Sequence, residues 1–252
     1  MYNNFQELVE LEIESLFQRA KDTDELSYLF SLLGFNSGME DIGWQPINET
    51  LQLVEDFISI SNTPLRNPSK IRLMLLMYCQ ITEASYLYHI IYNMLLTIDN
   101  EEPPRLFNFL DKYRGPVPPT VSTKLNSIKD LAMKHKLDGI IDIFRKIYNS
   151  DIRNAVTHAD YILYDNELRL KHRGDHIKKI HFEVVTELVN YAVMFFQTFF
   201  QITYKHKSSY KNGYVISNRK NKAGDPLSSV EVIVNESGLL SGFSTSDPYP
   251  IW

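Results

Sequence analysis

The chain of 252 residues has one cysteine, Cys79. A single thiol excludes an internal disulfide framework and any clustered-thiolate zinc or iron–sulfur centre, and it fits a reducing compartment. Cys79 closes the apolar run 73–79, so it reads as a small buried hydrophobe rather than a nucleophile. Ten glycines and eleven prolines are too few for a collagen-like, low-complexity or turn-dense all-β chain, and 12% aromatic residues is too many for a disordered one. A long uncharged apolar run is also missing. The most apolar stretch, 188–204, is interrupted by Asn190, Gln197, Thr198 and Gln201 and falls short of the roughly 18 residues a membrane span needs. The first turns carry Glu7, Glu10, Glu12 and Glu14 and lack a basic segment followed by an apolar one, so no signal peptide is expected. These absences together predict a cytoplasmic protein with no membrane partner.

Sequence signatures for nucleotide hydrolysis and serine hydrolysis are lacking as well. There is no G-x-x-x-x-G-K-[ST], no G-x-G-x-x-G after a strand, and no G-x-S-x-G; in Gly238-Leu239-Leu240-Ser241-Gly242 the serine falls one place late.

What the chain does have is an uneven charge. The formal net charge is −5, but residues 145–222 hold fourteen Lys and Arg against seven acids, which leaves +7 there and −12 elsewhere. A local basic region on an acidic protein suits a short or single-stranded polyanion better than a long duplex; a solvated face is the plainer reading of the same charges.

Hydrophobic spacing predicts a mainly α fold. Phe5, Leu8, Val9, Ile13, Leu16 and Phe17 follow a helical period, and Thr23-Asp24 caps a second helix ending at Gly34. Helices are further expected over 49–59, 69–98, 105–114, 122–135, 138–158 and 182–205, with 36–47 a loop and Gly115 to Pro119 a rigid break. Period-2 segments 161–164 and 167–171 around Asp165-Asn166 predict a β-hairpin. Strand-like pieces follow at 213–217 and 230–234. The expected organisation is an N-terminal helical extension (1–66), a helical domain (67–207) and a C-terminal extension with short strands (208–252).

The most informative stretch is Asp151-Ile152-Arg153-Asn154-Ala155-Val156-Thr157-His158. His158, with an ordinary pKa of about 6.5, suits general acid or base work. Arg153 stays charged and offers a planar fork to two phosphate oxygens. At ~100° per residue Arg153 and His158 point about 140° apart on one helix, whereas Asn154 and His158 are i, i+4 neighbours, so Asn154 is positioned to orient the imidazole. Arg153 must therefore reach around, the helix must break between the two, or a second subunit must complete the site. The bland alternative pairs Arg153 with Asp151 or Asp160 and makes His158 a helix C-terminal residue favoured by the dipole.

This segment resembles the RNxxxH signature of the HEPN family, all-helical domains that include many metal-independent ribonucleases. The likeness extends to the preceding amphipathic helix, the hairpin and the long closing helix, over about 69–207 and most strongly over 145–205. The resemblance implies a HEPN-like bundle, catalytic residues Arg153, Asn154 and His158, a homodimer that pairs two signatures across a cleft, no cofactor, and a toxin or defence setting with an antitoxin or other regulatory protein as partner. The substrate it implies is RNA, cleaved to 2′,3′-cyclic phosphate ends; some members keep the fold and only bind.

Weaker signals surround it. Tyr161 and Tyr164 are candidates for base stacking, although strand packing is the commoner use of such tyrosines. Arg169, Lys171, Arg173, Lys178 and Lys179 form the candidate RNA-facing basic loop. His172, His176 and His181 lie among these cations, which repel a metal, and no metal site is expected.

Overall fold

A computed structural model describes residues 2–33, 46–61, 67–100, 109–111, 115–117, 119–171, 176–210, 215–216, 230–234 and 240–245. The helices are α1 (Tyr2–Thr23), α2 (Glu25–Leu33), α3 (Pro46–Ser61), α4 (Asn67–Glu83), α5 (Ser85–Ile98), α6 (Val121–Lys134), α7 (Asp138–Ile147), α8 (Ser150–Thr157) and α9 (Phe182–Ser208). The strands are β1 (Phe109–Asp111), β2 (Gly115–Val117), β3 (Tyr161–Tyr164), β4 (Glu167–Lys171), β5 (Ile177–His181), β6 (Val215–Ile216), β7 (Val230–Val234) and β8 (Leu240–Thr245). The protein is mainly α, as the periodicity predicts.

α9 is the element around which the others pack. Its face of Val185, Val189, Ala192, Phe195, Phe196, Phe199 and Ile202 is buried, and it lies against α1, α4 and α7. Burying each such side chain stabilises the fold by about 1.5–3 kcal/mol before the entropy of ordering is charged. Phe17 meets Phe199 edge-on at 6.0 Å, and Phe144 meets Phe195 edge-on at 5.7 Å. The core makes no division at residue 66. Phe5, Val9, Ile13, Leu16 and Phe17 of α1 and Tyr28, Leu29 and Leu32 of α2 join the same hydrophobic cluster as α5, α7 and α9.

A polar clamp ties α1, α2 and α9 at one end. Tyr28 Oη lies 2.6 Å from His206 Nδ1, and His206 Nε2 lies 2.8 Å from Glu14 Oε2. Lys205 Nζ donates to Glu14 Oε1 at 2.6 Å. Burial works against the Glu14 carboxylate, but the hydrogen bonds from Lys205 and His206 outweigh it and hold Glu14 below its ordinary range.

Two helices expected as continuous are each broken. The 69–98 segment divides at Ala84 into α4 and α5, and Tyr88 Oη donates to the buried carbonyl of Thr82 at 2.8 Å. The 138–158 segment divides at Tyr148-Asn149 into α7 and α8, because Asn149 adopts extended backbone and caps the new helix. Neither break has a proline or glycine to announce it. Two further expectations are corrected. The helix placed over 105–114 is a strand at Phe109–Asp111, paired antiparallel with Gly115–Val117 inside the expected rigid break; its other residues lie outside those described. Part of the basic loop is β5, which adds a third strand to the predicted hairpin in the order β3-β4-β5. The 36–47 loop lies outside the described residues apart from the start of α3. The C-terminal pieces form a third small antiparallel sheet, β6-β7-β8. No helix among the described residues is long and apolar enough to cross a membrane.

A half-buried base is expected to make the fold pH-sensitive. Burial, with a smaller contribution from Lys124, pulls His89 on α5 down to about 4 from an ordinary 6.5. A base whose folded pKa is depressed binds its proton more tightly when unfolded, so its stabilising contribution is complete above about 6.5 and is lost as pH falls toward 4. The thermal midpoint should therefore drop across that interval, and His89→Gln should flatten this part of the profile. An unchanged slope in the variant would remove His89 as the cause.

Candidate functional site

The signature helix is built by one side chain at its start and one turn at its end. Asn149 Oδ1 accepts from the backbone N–H groups of Asp151 and Ile152, each at 3.1 Å, satisfying two donors that a helix N-terminus leaves open. Asn149 N–H itself donates to the hydroxyl of buried Tyr78 at 2.8 Å, which fixes where the helix begins. Ile152, Ala155 and Val156 face inward toward α4 and β4, so the opposite face carries Arg153, Asn154, Thr157 and His158.

At the other end the chain leaves α8 through a Schellman turn. Asp160 N–H donates to Ala155 O at 2.8 Å and Ala159 N–H donates to Val156 O at 3.2 Å, with Ala159 at φ 57°. His158 is the C-cap residue of this turn and is exposed, and its imidazole takes no hydrogen-bond partner among the described residues. There is no helix break between Arg153 and His158; the break falls before both.

Arg153 is held from two sides. Its Nε and Nη2 engage Glu83 Oε1 at the end of α4, and its Nη1 donates to Asn154 Oδ1 at 2.8 Å. The carbonyl of Arg153 accepts from Thr157 Oγ1 at 2.9 Å and from Cys79 Sγ at 3.9 Å. The Arg153 side chain is 20% exposed and that of Glu83 41%, so the pair lies at the surface with the arginine on the inner side. Asn154 therefore positions Arg153 here, and does not orient His158. Asp151 and Asp160 are not partners of Arg153 either: Asp151 pairs with Lys178 at 2.6 Å. Cys79 is half-buried rather than fully buried; burial pushes its thiol up, with the Thr157 hydrogen bond and the Arg153 charge opposing it, which fits an unreactive thiol.

Glu83 is the residue that sequence reasoning missed. It lies 70 positions from Arg153, and its only signal is an acid in the last turn of a helix, where the dipole disfavours negative charge and a cation is wanted. That signal becomes readable only once the break at Ala84 is known.

The candidate RNA-facing residues are not all available. Leu168, Leu170 and Ile180 point into the core, leaving Ile162, Tyr164, Arg169, Lys171 and Lys179 on the outward face of the sheet. Tyr161 is partly buried and packs against the core. Arg169 stacks over the Tyr164 ring with its guanidinium 4.1 Å from the centroid and pairs with Glu167 at 3.0 Å. Lys178 is engaged by Asp151, while Lys171 and Lys179 are exposed and unpaired among the described residues. Arg173 and His172 lie outside the described residues. His176 and His181 are exposed, and among the described residues no group of three or more His, Cys, Asp or Glu is placed to hold a metal ion. An open cleft of about 640 Å³, lined by Asn67, Lys70, Asn166, His181, Phe182 and Glu183 among others, does not include Arg153, Asn154 or His158.

The Schellman turn supplies a direct test. An L-residue in left-handed backbone costs about 1–2 kcal/mol, part of which glycine returns through its greater freedom in the unfolded chain. Ala159→Gly should accordingly stabilise the protein by about 0.5–1 kcal/mol, read from the urea midpoint. A lowered midpoint would mean that the turn after His158 is built differently. In comparisons with known proteins, no family model, no curated protein and no solved structure matches the chain.

Proposed function

We propose that this protein is a HEPN-like, metal-independent endoribonuclease that cleaves single-stranded or looped RNA by attack of the 2′-OH on the adjacent phosphorus. His158 takes or returns the proton, and Arg153 stabilises the charge that gathers on the phosphate oxygens. Asn154 and Glu83 hold the guanidinium fork, and Lys171 and Lys179 attract the backbone of the strand. The products carry 2′,3′-cyclic phosphate and 5′-hydroxyl ends. In the toxin or defence setting that the resemblance implies, two copies face each other across the cleft and a regulatory protein restrains them.

The observation that carries this reading is the surface of α8. One short helix presents an unencumbered imidazole and an arginine fixed by two acceptors, beside a sheet with unpaired lysines. A second reading, a non-catalytic module of the same type that binds RNA, a nucleotide or a protein, is favoured by the Glu83 ion pair, because a phosphate must compete with a carboxylate already seated on Arg153.

Digestion of a labelled single-stranded RNA in chelator separates the two. The wild type should cleave, with cyclic phosphate ends. His158→Ala should lower the rate by about 10²–10⁴, the usual contribution of general acid–base catalysis. Arg153→Ala should lower it by about 10²–10³, as for loss of one transition-state charge clamp. Intact RNA with the wild type, or equal cleavage by all three proteins, would leave only the binding reading. A monomer in sedimentation at micromolar concentration would count against a site shared by two copies.

A further inference from the structure

Lys124, on the first turns of α6, is a buried cation, only 5% exposed. Its Nζ donates to Ser85 Oγ at 2.6 Å and lies 5.7 Å from the centre of the Tyr88 ring. No carboxylate lies within ion-pair distance of it among the described residues. The acid whose field reaches it is Glu83, and that carboxylate is already engaged by Arg153. Burial pulls the amine below the ordinary lysine range, with Glu83 opposing. An ammonium stripped of water and given a single hydroxyl partner is poorly compensated, so the neutral amine becomes accessible.

Ser85 itself is half-buried and is the first residue of α5. That helix has no side-chain cap at its start, and Leu87 N–H takes the Ala84 carbonyl at 3.2 Å. The N–H groups of Ser85 and Tyr86 are the first-turn donors that the helix geometry leaves without an acceptor. A serine hydroxyl, a buried lysine on it and two adjoining amide donors are the parts of a serine–lysine nucleophile.

We propose that Ser85 and Lys124 form a serine–lysine dyad that hydrolyses small carboxylic esters, a second site separate from the Arg153 and His158 surface and not dependent on the RNA reading. Neutral Lys124 Nζ takes the proton of Ser85 as Oγ bonds to the carbonyl carbon, and the π pair moves to the carbonyl oxygen beside the Ser85 and Tyr86 N–H groups. The tetrahedral adduct collapses, the bond to the alcohol oxygen breaks, and the departing alkoxide takes the proton from the Lys124 ammonium. Water then attacks the acyl-serine, again losing its proton to Lys124, and that proton passes to Ser85 as the acid leaves. The balance is ester and water to acid and alcohol. The titratable and charged groups around Lys124 are Glu83 from α4 and Tyr88 and His89 from α5, with His89 held neutral by burial above about pH 4.

The test uses the full chain with a fluorophosphonate, which transfers its phosphonyl group to an activated serine and releases fluoride, followed by peptide mass spectrometry. The adduct should form on Ser85 and be absent in Ser85→Ala. Its rate should rise with pH as the amine loses its proton and fall at least about a hundredfold in Lys124→Arg, which stays charged. Glu83→Gln should move the rise to lower pH, because the charge that favours the ammonium is gone. Hydrolysis of p-nitrophenyl acetate should follow the same pattern. Absence of an adduct on Ser85 in the wild type, a rate independent of pH, or an undiminished rate in folded Lys124→Arg would each overturn the proposal. If Lys124→Arg fails to fold, the wild-type and Glu83→Gln profiles decide it. RNA cleavage by Ser85→Ala reports separately on the Arg153 and His158 surface.

Discussion

The bond from Asn149 N–H to the hydroxyl of Tyr78 governs the geometry of the whole signature region. Tyr78 is fully buried on α4, so its hydroxyl needs a partner, and the backbone donor released by ending α7 supplies it. Ending the helix there lets Asn149 turn its side chain onto the next two N–H groups and start α8 in a new direction. Every later placement follows from that redirection. Ile152, Ala155 and Val156 meet α4 and β4, Arg153 comes within reach of Glu83, and His158 ends at the surface, where the Schellman turn feeds the chain into β3.

Glu83 is the electrostatic counterpart of that bond. It closes α4 immediately before the break at Ala84 and satisfies the Arg153 guanidinium, while its field reaches the amine of Lys124 on α6. A carboxylate bound to arginine exerts a weaker pull on a second cation than a free one does. The state of Arg153 and the protonation of Lys124 are therefore linked through one acid, although the two basic groups belong to different helices and different candidate chemistries.

Much of the architecture was legible because α1, α2, α6 and α9 each carry a stripe of apolar residues at helical spacing, and the β3-β4 hairpin a clear alternation around Asp165-Asn166. The two helix breaks were not legible. Neither Ala84 nor Asn149 is a strong breaker, and the gain that stabilises each break is a bond to a side chain distant in sequence or across the break, Tyr78 in one case and Tyr88 in the other. β5 was hidden for a related reason: only Ile180 of its five residues is buried, so no alternation marks it, and it forms because β4 offers an open edge.

Sequence alone determined a mainly α chain with one thiol in an apolar helical run, a basic segment at 145–222, and an Arg-Asn-x3-His string next to a hairpin, since composition and local period carry that information. Only the tertiary structure decided which partners those residues take. Arg153 binds Glu83 and Asn154 rather than Asp151 or Asp160, Arg169 and Lys178 are neutralised while Lys171 and Lys179 are not, and Ser85 meets Lys124. The reason is physical: a charged side chain chooses among acceptors by distance and burial, and both are set by helix packing between segments far apart in the chain.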